Sequence, residues 1–401
     1  QAVALGNLSL AYQALGQWTQ ASAAIDQSLE TLGVNQQQLD EDIVPSLSDP
    51  YLQVLVAVLD IDGQLWLRQA RPEIALRRWR QSEKIYQNLQ NSEGIIGSQT
   101  NQLQALQRLG LYLQADTISS SLEKQLSQVE DPLLSTQALR SLGDTYRAVG
   151  RLTQSRDILE NLLADGASIS QNSPTYISLG NTYLALAKRE TERQVTTNQQ
   201  DRLPWQCSAP FALPETAREY YKKASDTYGT AIQQTPNSQH QIAARLNQIT
   251  ALLESGKSDA AVQTLWLESY QLISQQQLRN RLGVYAQIKL AKQGACLKQL
   301  ADDESFDWDP ITKTLKQASA LASELNDSVA ISQSLGNLGG LYEYFSWLDT
   351  RLTKAANPWQ QAALTLTVQA LMAAQPSEQP DIAYQWQWQL ARLKKADGQT
   401  Q

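Results

Sequence analysis

Apolar residues recur along this chain at helical spacing, in short runs that end on glycine. The clearest run is Leu139-Arg140-Ser141-Leu142-Gly143-Asp144-Thr145-Tyr146-Arg147-Ala148-Val149-Gly150. Leu139, Leu142 and Tyr146 fall on one helical face, Gly143 leaves a flat spot on it, and Gly150 stops it. The same arrangement returns at Leu5-Gly6-Asn7-Leu8-Ser9-Leu10-Ala11-Tyr12 with Gly16 following, at Leu179-Gly180-Asn181-Thr182-Tyr183, and at Leu335-Gly336-Asn337-Leu338-Gly339-Gly340-Leu341-Tyr342. A helical phrase rewritten several times predicts one elongated array in place of several separate cores.

Each copy pairs with a second helix. Leu5, Leu8 and Tyr12 are followed by Trp18, Ala21, Ile25 and Leu29; Leu59, Gly63 and Trp66 by Ala75, Trp79 and Ser82; Gln102, Leu103, Leu106 and Gly110 by Ala115 and Leu122. The fourth copy continues into Ser155, Leu159 and Leu162. In the fifth, around Tyr176 and Ala187, the second helix is displaced to Ala217, Tyr221 and Ala224. Residues 191–213 between them read as an ordered excursion, since a plain linker has no need of Trp205 and Phe211. The sixth copy, 247–252, nearly repeats 101–106 and leads to Ala261, Leu265 and Trp266; the seventh, 285–291, has its partner from Pro310. After the eighth, a loop at 346–356 precedes a helix from Pro358, and a final helix at 382–393 has no partner. Asp49-Pro50, Asp131-Pro132, Ser173-Pro174, Asp309-Pro310 and Asn357-Pro358 each set a capping side chain before a proline, the order expected at helix starts.

The composition, 42% apolar with 10 Trp and 15 Tyr and only 18% charged, supports a packed core. A net charge of -7 argues against nucleic acid as the main partner. The longest apolar run, around Tyr51 to Leu59, is broken by Gln53 and Asp60, which predicts no membrane span. The chain begins at Gln1 and its only methionine is Met372, which predicts a piece of a longer protein or a processed product. Two cysteines are too few for a disulfide scaffold or a four-ligand zinc site, and no metal or cofactor motif stands out.

The succession of Leu, Leu-Gly, Tyr and a turn Gly, with small residues in the next helix, resembles the tetratricopeptide repeat, over essentially the whole chain. Copies are spaced by about 40 residues against the usual period of about 34. Trp79, Ser119 and Ile25 depart from the residues the family favours. The resemblance implies an all-α, right-handed superhelical solenoid of antiparallel helix hairpins: residues 1–401 as a single array of about eight hairpins plus a terminal helix, with 191–213 inserted in the fifth. More narrowly, 110–115, 335–339 and 383–390 look like the repeat regions of large cyanobacterial proteins carrying a caspase-like CHAT domain. That implies a recruiting or regulatory arm whose catalytic domain is not in this piece.

By the same resemblance the first helix of each hairpin lines a concave groove. Its outward residues here are Arg68, Gln104, Gln107, Arg108, Arg140, Asp144 and Arg147, with Lys289 and Lys292 as a second patch. Two readings stand: arginines clamping carboxylates of a partner, or a solvated face ion-paired to Asp144. The carboxylate clamp of chaperone-binding members is not expected, because Asn181 fits one slot but Ile177 occupies the one before. Tyr12, Trp66, Tyr146, Tyr183 and Tyr342 read as packing-face residues in preference to a stacking platform. The single histidine, His240, sits at a helix entry without an orienting carboxylate or nucleophile beside it, so no catalysis is expected. For Cys207 and Cys296 a disulfide and two buried thiols are equally open; a bond would point to an exported, oxidising setting. The sequence thus reads as a module binding an extended, acidic protein or peptide, against the alternative of a structural scaffold that self-associates.

Overall fold

The computed structural model describes residues 1–15, 17–41, 47–126, 131–164, 172–193, 203–207, 212–276, 278–300, 306–352, 357–375 and 380–396. Among the described residues there are helices and no strand. In chain order they are α1 (Ala2–Ala14), α2 (Trp18–Thr31), a short α3 (Gln36–Asp40), α4 (Asp49–Arg68), α5 (Pro72–Asn88), α6 (Ser92–Leu109), α7 (Tyr112–Leu126), α8 (Pro132–Ala148) and α9 (Leu152–Ala164). Then follow α10 (Asn172–Glu192), α11 (Glu215–Gln234), α12 (Ser238–Glu254), α13 (Ala260–Gln276), α14 (Arg281–Leu300), α15 (Asp309–Glu324), α16 (Ser328–Leu352), α17 (Pro358–Ala374) and α18 (Pro380–Ala396). Among the described residues the chain is all-α, its helices pairing as hairpins with their neighbours in sequence.

Contacts gather it into two compact units, Gln1–Ala185 and Leu186–Gln401, the division falling inside α10. In each unit helices adjacent in sequence pack together, and first helices also pack on first helices: α1 on α4 and α6 on α8 in the first unit, α12 on α14 and α14 on α16 in the second. These hairpins therefore bury one side against their own partner helix and another against a neighbouring hairpin, which is how a stacked repeat makes a continuous core.

Glycine lets the second helix come close. A Cβ on Gly143 would lie 2.7 Å from Leu159 Cγ, and one on Gly63 would lie 2.5 Å from the Trp79 indole, so the second helix presses its large side chain onto bare backbone. The copies are also tied by a polar bond. The Tyr146 hydroxyl donates to Glu123 at 2.8 Å, and the Tyr183 hydroxyl donates to Glu160, each reaching 23 residues back to the second helix of the preceding hairpin.

Three sequence expectations change. In α1 the buried face is Ala2, Gly6, Ser9 and Gln13, while Leu8 is 43% exposed. Small residues win there because the neighbours come close: Ser28 donates to the Ala2 carbonyl at 2.8 Å, and the Ile61 methyl sits against Gly6. Asp131 and Asn357 cap their helices through bonds from the N–H groups of Leu133 and Trp359. Asp49, Ser173 and Asp309 instead lie inside the first turns of α4, α10 and α15, the first and last of these capped from Ser48 and Trp308 without a side-chain bond. Finally, α16 runs on to Leu352, so the loop expected from 346 starts later. Gly16, Phe211 and most of the 191–213 excursion lie outside the described residues.

Candidate functional site

The outward residues of the first unit meet in a polar seam across α6, α8 and α10. Gln107 donates to the Thr145 hydroxyl at 2.6 Å, joining α6 to α8. One residue earlier on α8, Asp144 accepts from Ser178 of α10 at 2.9 Å and from Arg147 at 3.3 Å. Arg140, one turn before Asp144, is half-buried; burial pulls its guanidinium pKa down and the Asp144 charge pulls it back up. Asp144 is thus the acceptor around which two guanidiniums are set. The Arg147 Nε is buried without a hydrogen-bond partner. Arg68 on α4 and Gln104 and Arg108 on α6 are exposed.

The seam therefore gathers Gln107, Arg140, Asp144 and Arg147, and leaves Arg68, Gln104 and Arg108 pointing to solvent. Thr145 and Ser178 complete it and were not singled out from sequence. The signal was there in the recurring Asp144-Thr145-Tyr146 and Asn181-Thr182-Tyr183, where the central threonine bonds across to a neighbouring helix: Thr182 exchanges a 2.8 Å bond with Ser155. Tyr146 and Tyr183 are buried, and burial together with Glu123 pushes the Tyr146 phenol up to about 12. Tyr12, Trp66 and Tyr342 are only half-buried.

In the second unit the chain itself packs on α14. Trp205 is 4% exposed and lies against Gly340 of α16, where an added Cβ would come within 2.9 Å of the indole nitrogen. Lys292 stands beside it, exposed, its ammonium 6.0 Å from the ring centre. Gln299 holds the backbone on both sides of Gln206, donating to the Trp205 carbonyl at 2.8 Å and accepting from the Cys207 N–H at 2.9 Å. Cys207 is disulfide-bonded to Cys296 of α14, the Cα atoms 5.2 Å apart. Residues 205–207 are thus tied to α14 through Cys296 and Gln299, and Lys292 remains exposed.

Lys289 is also engaged: it donates to Asn247 of α12 at 2.5 Å, and burial, with Lys188 nearby, lowers its pKa to about 8. Lys188 pairs with Glu254 at 3.0 Å. Of the second patch, Lys289 is thus tied up by an internal contact while Lys292 is exposed. The His240 N–H donates to the Asn237 cap of α12. Neither cysteine is a free thiol.

No protein-family model and no curated protein matches this sequence. Among solved structures the chain is similar to a Rap protein complexed with competence and sporulation factor, at 13% identity and a TM-score of 0.46, over 100% of this chain and 99% of that one. It is similar to a signal transduction ATPase with a tetratricopeptide repeat sensor from Pyrococcus horikoshii, at 11% identity and a TM-score of 0.44, over 91% of this chain and 49% of that one. A human IFIT1 dimer with PPP-AAAA is similar at 13% identity and a TM-score of 0.41, over 97% of this chain and 82% of that one. Among the described residues no helix is long and apolar enough to cross a membrane.

Proposed function

We propose that this chain is a protein-binding module, not an enzyme, which takes an extended acidic segment of a partner along the first-helix face of α6, α8 and α10. The observation that carries the reading is the surplus of guanidinium at Asp144. Arg147 donates to a carboxylate that already accepts from Ser178 and whose charge also acts on Arg140, and the buried Arg147 Nε is left without an acceptor. A buried donor of that kind is costly until an acceptor arrives, and a carboxylate can take two guanidinium N–H groups at once. Arg108 and Gln104, exposed on α6, extend the donor row. On the sequence resemblance, the module is the recruiting or regulatory arm of a larger CHAT-type protein, and the Cys207–Cys296 bond favours an oxidising setting.

The test is fluorescence anisotropy with three labelled probes: a Glu-rich peptide, a Lys-rich peptide and a single-stranded RNA. The acidic peptide alone binds, weakening as salt rises. Changing Arg140→Ala and Arg147→Ala together weakens it at least tenfold while the circular dichroism melt keeps its shape. Equal binding by the double variant overturns the groove, and preference for RNA overturns the acidic partner. Concentration-dependent sedimentation with no peptide bound points to a self-associating scaffold.

A further inference from the structure

A cavity of about 520 Å³ opens where the start of α15 meets the later turns of α16 and the start of α17. Its walls are the rings of Trp308, Tyr342, Phe345 and Trp359. Phe345 stands at the centre, 5.1 Å from Trp308 and 5.3 Å from Trp359, both edge-to-face, and Tyr342 lies 5.2 Å from Trp359. Rings in mutual edge contact hold one another in place. The Trp359 end is also fixed by the cap, since the Asn357 amide donates to the Ser346 carbonyl of α16 at 2.7 Å and its oxygen accepts from the Trp359 N–H at 3.0 Å. Yet the rings are not closed off: Trp308, Tyr342 and Phe345 are half-buried and Trp359 is 38% exposed. A preformed cavity of this size falls within the range of small-ligand pockets, roughly 300–1,000 Å³.

The charge around it selects the ligand. Asp307, Asp309 and Asp349 line the cavity against one ammonium, Lys316. Ring faces carry negative charge density, and a cation on them gains further from nearby carboxylates. A bare metal ion needs oxygen ligands converging on one point, and no group of three His, Cys, Asp or Glu among the described residues is placed to hold one. The polar groups surround an aromatic floor, so the fit is to a cation with an apolar shell. We infer that this cavity binds a quaternary ammonium group of the trimethylammonium type, a site separate from the arginine seam of the first unit.

The test is titration of the whole chain, followed by tryptophan fluorescence and calorimetry, with choline and with 3,3-dimethylbutan-1-ol, its uncharged carbon isostere. Choline binds at least tenfold more tightly. Trp359→Ala weakens choline at least fivefold, Trp359→Phe restores part of the loss, Asp309→Asn weakens it, and Lys316→Gln strengthens it about threefold as the competing cation goes. A trimethyllysine peptide and phosphatidylcholine vesicles, run as further arms, show whether the head group is presented by a protein or a lipid. Equal affinity for the isostere, or choline binding untouched by both Trp359→Ala and Asp309→Asn in variants with the parent melt, overturns the inference.

Discussion

Asp60 shows what a single buried carboxylate does in this array. It lies on α4 and accepts from the Tyr86 hydroxyl of α5 at 3.1 Å, and burial raises its pKa from 3.8 to about 6. The folded chain therefore holds the proton to higher pH than the unfolded chain does. The favourable contribution is fully present below pH 3.8 and is lost as pH rises through about 6. Asp60→Asn, which keeps an acceptor for Tyr86 and removes the charge, should then stabilise the fold at pH 7.5, by roughly 1–3 kcal/mol, and change little at pH 4. Urea unfolding of both proteins at the two pH values checks it; a variant no more stable than the parent at pH 7.5 would show that the carboxylate is solvated. The neighbouring Asp62 is different in kind. It is more deeply buried and takes a 2.8 Å bond from Arg78, whose guanidinium also reaches Gln36 and Asp40 and so ties α3 to α4 and α5. Two carboxylates two residues apart on one helix thus have opposite partners, a phenol and a guanidinium.

At the scale of the helix, the repeat is kept by contacts that recur even where its letters do not. Gly143 receives Leu159 and Gly63 receives Trp79, so the second-helix side chain varies while the bare first-helix position stays. Gly143→Ala should force the Leu159 branch aside and cost roughly 1–3 kcal/mol, as overpacking does. Adding Leu159→Ala should not lower the melting temperature by the sum of the two single losses, because the added methyl fills part of the space the leucine leaves. Thermal melts of the two single variants and the double decide it, simple additivity being the outcome that removes Leu159 from the account. The same view explains what was legible. Helix positions and hairpin pairing follow from apolar spacing and glycine stops, which are local. The face that α1 buries was misread, because Leu8 and Leu10 are more apolar than Ser9 and Gln13 and only the closeness of Ile61 and the Ser28 bond decides between them. The Asp-Pro and Ser-Pro starts were misread by one or two residues for a similar reason, since a proline is tolerated at either of the first helical positions.

For the molecule as a whole, the two units carry their candidate surfaces differently. The arginine seam is built by first-unit residues alone; its charged members stand at outward helical positions that the sequence shows, whereas Thr145 and Ser178 are found only from the packing of α6, α8 and α10. The packing of residues 203–207 on α14 was not legible: it depends on a contact between residues 89 apart in sequence, and no local pattern says that Trp205 lands on Gly340. This gives a prediction that separates the units. Changing Cys207→Ser and Cys296→Ser together should cost the second unit about 2–4 kcal/mol, since the bond closes a long loop in the unfolded chain. With the tether gone, the Gln299 bonds and the packing of Leu203 and the Trp205 indole remain to hold residues 203–207. Hydrogen exchange should then quicken in 203–207 and around Gln299. The amides of α6 and α8 should keep their exchange rates, because the Gln107–Thr145 and Tyr146–Glu123 bonds that hold the seam involve no residue of the second unit. Affinity for the acidic peptide should likewise stand unchanged between oxidised and reduced protein. A drop in that affinity on reduction would mean that the partner is held from both units, and the arginine seam would no longer suffice as the site.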